Sequence, residues 1–186
     1  MLGAEAIADA AVAYFNAYAA TKLAAIAARS WAVDIGAMSA PFVIRVNDPF
    51  RAKENDFPVW YVMPEETGMP TSKGGIRVQG EHRFVFAALV QHAGSLAPGH
   101  DGSDARTPSE MAGRLAMRHA LAIYELLTEM SDVAVSSTYY ANGSRVMWGT
   151  TGEPFRARYF RADPSDKGDG LALSVVETGA TLAEVR

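Results

Sequence analysis

The sequence predicts a single α+β domain over residues 1–186, with a mainly antiparallel twisted sheet and two main helices packed on it. Two long segments have the three- and four-residue apolar spacing of helices, whereas the other apolar runs are short and alternate as strands do. The predicted order is a helix, four strands, a second helix and four strands. Helices segregated from strands in this way are typical of α+β folds.

The first helix is predicted over residues 2–29, a segment dominated by alanine, the strongest helix former. Its apolar residues recur at helical spacing: Ile7, Ala11, Tyr14, Phe15, Tyr18 and Ile26. Glu5 and Asp9 come too early for a secretory signal peptide, and polar side chains interrupt the segment too often for a membrane span. We interpret it as a helix packed on the domain, with a subunit contact along its alanine-rich flank as the alternative.

The first group of strands is predicted where apolar residues alternate or run together: 41–46, 59–63, 76–79 and 82–90. The last of these is nearly continuous in apolar residues, so we expect it to be central and covered on both faces. Three polar segments rich in glycine and proline predict long loops: 47–57, 64–75 and 93–106.

The second helix is predicted from Thr107 to Met130. Thr107 and Glu110 have the spacing of a capping box, and Pro108 suits the first turn. His119 lies near the apolar stripe of this helix, so we expect it to be a partly buried core histidine. The stripe itself predicts a helix lying on a sheet: Met111, Leu115, Ala122, Leu126 and Met130.

The closing part of the chain is predicted to be strands only. The pair Asn142-Gly143 favours a tight hairpin turn, because both central residues of that turn need a positive φ. The strands on either side of this turn and after it are predicted at 133–140, 144–150, 155–162 and 171–177.

Composition and motifs argue against several classes of function. The chain has no cysteine, which removes disulfides, cysteine-ligated zinc and cysteine nucleophiles, and favours folding in the cytosol. Its net charge is −4 and it has no basic run, which disfavours electrostatic DNA binding. No phosphate-binding loop, dinucleotide fingerprint or nucleophile elbow is present in the sequence. We therefore predict that the protein is not an enzyme, with no catalytic, cofactor-binding or metal-binding residues.

Three residue groups have a second interpretation. One loop could chelate a divalent ion through His92, His100, Asp101 and Asp104. A solvated loop is the favoured interpretation. The adjacent Glu65 and Glu66 point to opposite sides of an extended chain, which does not suit a catalytic carboxylate pair. Five aromatic residues could line a pocket, although core or interface packing is favoured: Trp31, Trp60, Trp148, Tyr139 and Tyr140.

The three long loops are the predicted sites of protein contact. Long loops in a compact domain usually carry function, and these combine charged side chains with a few large apolar ones. The predicted interface residues are Phe50, Arg51, Lys53, Phe57, Glu65, Glu66, Met69 and Lys73. On this interpretation, deleting residues 65–72 leaves the fold intact and impairs association.

The order of elements resembles that of the tail terminator (tail completion) proteins of long-tailed bacteriophages, which are small α+β proteins that form rings, typically hexameric. The resemblance covers nearly the whole chain and lies in the order of its elements rather than in a motif. Its parts are the alanine-rich helix 2–29, the strand HRFVFAALV at 82–90, the helix 108–130 and the closing strands RARYFRA and LALSVVET.

This resemblance implies a structural virion protein that caps the head-proximal end of the tail tube, stops tube polymerisation and docks to the head connector. The implied partners are further copies of the chain in a hexamer, the tail tube protein and the head-tail connector or stopper protein. DNA would pass through the lumen without specific binding, and no membrane is involved. The implied location is the neck of the virion tail, and the host cytoplasm during assembly.

Two alternatives stay open. The first is another neck or head-completion protein of the same particles. The second is a small-molecule binding module, or an enzyme without a standard motif, for which a deep apolar pocket with converging polar groups would be the structural sign.

Overall fold

The computed structural model describes residues 4–32, 35–45, 57–67, 80–92, 108–132, 139, 145–149, 155–161 and 170–183. The helices are α1 (Ala4–Ala27) and α2 (Pro108–Met130). The strands are β1 (Phe42–Arg45), β2 (Val59–Thr67), β3 (Gly80–His92), β4 (Arg145–Trp148), β5 (Arg156–Arg161) and β6 (Gly170–Ala183). Both helices pack on a curled and mostly antiparallel sheet, which confirms the predicted α+β fold.

The sheet is organised around two long central strands. Its order is β1-β2-β3-β6, and β4 and β5 follow each other along the far edge of β6. β3 and β6 stay in antiparallel register from Gly80 opposite Leu182 to His92 opposite Gly170. β1 and β2 pair in parallel, while the other pairs are antiparallel. The prediction that the strand at 82–90 is central is therefore confirmed.

The end of β2 corrects a predicted loop boundary. The sequence predicts a loop from residue 64, but β2 continues to Thr67 and pairs with β3 there. Pro64 has no N–H to donate, and the register shifts between Pro64 and Glu66. This bulge lets the strand continue beyond a residue that would otherwise interrupt the hydrogen-bond ladder.

The predicted strand 133–140 is wrong at Tyr139, the one residue of that segment that the structure describes. Tyr139 has helical backbone, and its ring packs edge-on against Tyr14 of α1 with the centroids 5.2 Å apart. β4 pairs with β6 instead. The Asn142-Gly143 turn and the predicted strand 76–79 lie outside the described residues.

The main core lies between the two helices and the inner face of the sheet. The sheet contributes large buried side chains, which alternate along each strand: Trp60, Val62, Phe84, Phe86, Val146, Trp148 and Val176. α1 contributes most of its predicted stripe, although Tyr18 is 45% exposed. Of the three tryptophans, Trp60 and Trp148 pack in the core as expected, whereas Trp31 is 39% exposed.

A buried hydrogen bond connects the sheet to α2. The indole Nε1–H of Trp60 donates to Nδ1 of His119 at 2.9 Å, and both side chains are fully buried. Since Nδ1 accepts, the neutral imidazole carries its proton on Nε2. The Phe15 ring of α1 meets Trp60 edge-on, with the centroids 5.5 Å apart. Both helices and the sheet therefore meet at Trp60, and the expected core histidine is confirmed.

The buried His119 makes stability depend on pH. Burial lowers the pKa of His119 from 6.5 to about 3. Between pH 6.5 and about pH 3, His119 is therefore protonated in the unfolded chain and neutral in the folded chain. As the pH is lowered through this window, we expect the free energy of unfolding to fall by about 1.4 kcal/mol per pH unit. Urea unfolding of the wild type and of His119→Gln at several pH values measures the effect, which should be largely absent in the variant.

His82 provides the matched control for this prediction. Burial also lowers the pKa of His82, which is less deeply buried than His119. His82→Gln should therefore retain most of the acid sensitivity of the wild type. If His119→Gln is as acid-sensitive as the wild type, the neutral buried imidazole is not the cause.

Gly149 occupies a position that only glycine fits. It follows β4 with a φ of 71°, and its N–H donates to the carbonyl of Gly179 at 3.0 Å. A Cβ at this position would overlap the ring of Phe155, which itself packs edge-on against Tyr124. Gly36 has a similar φ of 73° but open space around it.

The two glycines allow a paired stability measurement. Gly36→Ala should cost about 1–2 kcal/mol, because it introduces left-handed backbone strain alone. Gly149→Ala should cost a further ~1–3 kcal/mol, since the methyl group also displaces Phe155. Thermal or urea unfolding of both variants tests this order, and equal losses would show that the Phe155 contact adds nothing.

Candidate interaction surface

The outer face of the sheet, on the side away from the helices, is strongly apolar. Val59, Tyr61 and Ala87 are buried at its centre. A ring of partly buried apolar side chains surrounds them: Ile44, Phe57, Met63, Leu89, Leu173 and Val175. In the part of the chain that the structure describes, no helix covers this face. The sheet thus has apolar side chains on both faces, and among the described residues the helices cover only the inner one.

The two edges of the sheet each expose a large aromatic side chain that belongs to this outer face. Phe42 lies on β1 and is 58% exposed, and Phe160 lies on β5, opposite Leu173, and is 49% exposed. Tyr159, the residue before it, is also exposed. Phe42 and Phe160 lie at opposite ends of the sheet, because β1 and β5 are separated by β2, β3 and β6. The outer face therefore continues to both edges as apolar surface.

A line of charged side chains crosses the outer face at one end. Arg83 lies 3.2 Å from Glu65 and 3.8 Å from Glu177, and Arg158 lies 3.0 Å from Glu177. The line joins β2, β3, β6 and β5. Ion pairs that stay partly open to solvent contribute about 0–1 kcal/mol each, so their effect on folding is small. Their clearer consequence is a polar rim beside an apolar surface, which is the usual arrangement of a protein interface.

Three of the eight predicted interface residues lie within the described part of the chain. Phe57 packs against the buried centre of the outer face, and Glu65 belongs to the charged line. The backbone of Glu66 pairs with Arg83. The other five lie outside the described residues: Phe50, Arg51, Lys53, Met69 and Lys73. Phe57 and Glu65 are thus brought to one face of the sheet.

This placement corrects the predicted role of the second loop. Residues 65–67 pair with β3, so deleting residues 65–72 would remove the end of a strand as well as a loop. That deletion is no longer a clean test of association. Sequence reasoning also did not single out Phe42 and Phe160, which the strand order places as exposed aromatic residues at the edges of the sheet, although both lie in short predicted strands.

The described residues contain no cluster of three or more histidine and carboxylate side chains that could hold a metal ion. Of the proposed chelating loop, only the backbone of His92 is described, at the end of β3. Neither of the two described helices is long and apolar enough to cross a membrane. No known family model matches the chain, and no curated protein matches it.

Proposed function

We propose that the protein is the subunit of a ring-forming assembly, with the role in phage tail completion that its order of elements suggests. The observation that carries the proposal is the pair of exposed aromatic edges, Phe42 on β1 and Phe160 on β5. A ring requires two different surfaces on each subunit that fit each other, because a head-to-tail contact closes by rotation. The two edges of this sheet are different surfaces, each with an exposed aromatic residue, which supports the proposal.

The packing of the sheet explains why association would use these edges. Both helices lie on the inner face and bury it around Trp60 and Phe86. The inner face therefore has little exposed apolar surface with which a partner could make contact. The edges keep exposed apolar surface at Phe42 and Phe160, and burying a fully exposed Phe side chain contributes about 1.5–3 kcal/mol. Tyr159 adds a second exposed aromatic ring at the β5 edge.

The specific role follows from the resemblance in element order. In this role a ring of the chain caps the head-proximal end of a tail tube, stops its polymerisation and presents its other axial face to the head connector. A ring has two axial faces, so one subunit type can contact two different partners. The outer-face residues Phe57 and Glu65 are candidates for one of these contacts. DNA would pass through the lumen without sequence-specific contacts.

Sedimentation velocity over a range of concentrations tests the ring and its edges. The wild type should form one discrete oligomer, and Phe42→Glu or Phe160→Glu should weaken each contact at least tenfold. The reason is that each substitution removes up to about 1.5–3 kcal/mol of apolar burial and places a charge in the contact. Tyr18→Glu is the matched control, because Tyr18 is an equally exposed aromatic residue on α1. A wild type that stays monomeric throughout, or edge variants that assemble normally, would contradict the proposal.

A second experiment separates the tail role from the neck alternative. Electron microscopy of the protein mixed with tail tube protein should show one ring at a tube end and no further growth there. In purified particles, labelled protein on the portal side of the neck instead of at the tube end would favour another head-completion protein.

A further inference from the structure

A small cavity lies outside the proposed edge contacts. It has a volume of about 290 Å³ and lies between α2 and the segment that follows α1. Its lining combines two arginines with apolar side chains: Trp31, Ala32, Arg114, Met117, Arg118 and Leu121. The α2 residues follow each other at spacings of three, one and three, so they form one stripe along the helix.

The wall formed by Trp31 and Arg118 is held in a defined geometry. The indole Nε1–H of Trp31 donates to the carbonyl of Ile26 at 2.7 Å, which fixes the ring beside the end of α1. The guanidinium carbon of Arg118 lies 4.5 Å from the centroid of that ring. Arg118 is buried in spite of its charge. Stacking of this kind orients the planar guanidinium group and makes it less free to move.

The second arginine gives the cavity its charge preference. Arg114 precedes Arg118 by one helical turn on the same stripe, so both arginines line the cavity. Among the described residues, no carboxylate lies within ion-pair distance of Arg114. A carboxylate entering the cavity would accept charge-assisted hydrogen bonds from the guanidinium group of Arg114.

The rest of the lining prefers an apolar group. Met117 is 46% exposed, so its side chain is open to a group that enters the cavity. The exposed parts of Trp31 and Leu121 lie beside it in the same lining. Methionine adapts its shape easily and makes favourable contacts with aromatic rings. The cavity therefore combines one anion-binding side with one apolar side.

We propose that this cavity binds a carboxylate that is attached to an aromatic or aliphatic group. Arg114 binds the carboxylate, and Trp31 and Met117 contact the apolar part. The same chemistry occurs in a free small organic acid and in a glutamate beside an aromatic residue of a partner protein. This inference does not depend on the ring, because none of its residues lies on β1 or β5.

NMR titration of the whole protein tests the site with defined probes. The indole N–H signal of Trp31, assigned with Trp31→Phe, reports on the cavity. 3-Phenylpropionate should shift this signal saturably, and its neutral amide should bind at least tenfold more weakly. The peptides acetyl-Phe-Glu-amide and acetyl-Phe-Gln-amide form the second arm. Tighter binding of the acidic peptide than of the free acid identifies a partner segment, and the reverse identifies a small ligand.

Arg114→Gln should weaken binding of both carboxylates at least tenfold and leave the neutral probes unchanged. Arg156→Gln is the matched control, because it removes an exposed arginine far from the cavity, on β5, and should leave the binding of every probe unchanged. If the acid and its amide bind equally, or if Arg114→Gln binds like the wild type, the proposal is overturned. Absence of any saturable shift with either carboxylate also overturns it.

Discussion

The contact between Trp60 and His119 is the interaction on which the rest of the structure depends. It joins β2 to α2 through a buried hydrogen bond of 2.9 Å, and Phe15 of α1 packs on the same indole ring. The neutral form of His119 is required, since a charged imidazole in this position would be both desolvated and unable to accept from Trp60. One buried pair therefore fixes both helices on the same face of the sheet.

Placing both helices on one face determines what remains for association. On the outer face Tyr61 is itself buried and the apolar side chains around it are partly buried, with a charged line through Arg83 and Glu177 at one end. At one edge of the sheet, Phe42 lies on β1, which pairs in parallel with β2. At the other edge, Phe160 lies on β5, which pairs antiparallel with β6. A subunit with two unlike apolar edges suits repeated head-to-tail contacts better than a two-fold symmetric dimer.

The sequence allowed good prediction of elements whose signal is local. The spacing of apolar residues gave both helices within a few residues of their observed ends, and β3 was correctly predicted as central. Features that depend on pairing were not predictable. The strand β2 passes Pro64 only because a bulge forms against β3, and Tyr139 is helical beside Tyr14. Phe42 and Phe160 become edge residues through the strand order, which a residue pattern does not contain.

Disulfide cross-linking measures the central claim directly, since the chain has no cysteine of its own. Phe42→Cys and Phe160→Cys are made separately and then mixed under mild oxidation. A head-to-tail contact between β1 and β5 predicts a covalent heterodimer in the mixture and little homodimer of either variant alone. The double variant should give a closed series of linked subunits. Equal homodimer formation by each single variant, or no cross-link in any sample, would contradict the account.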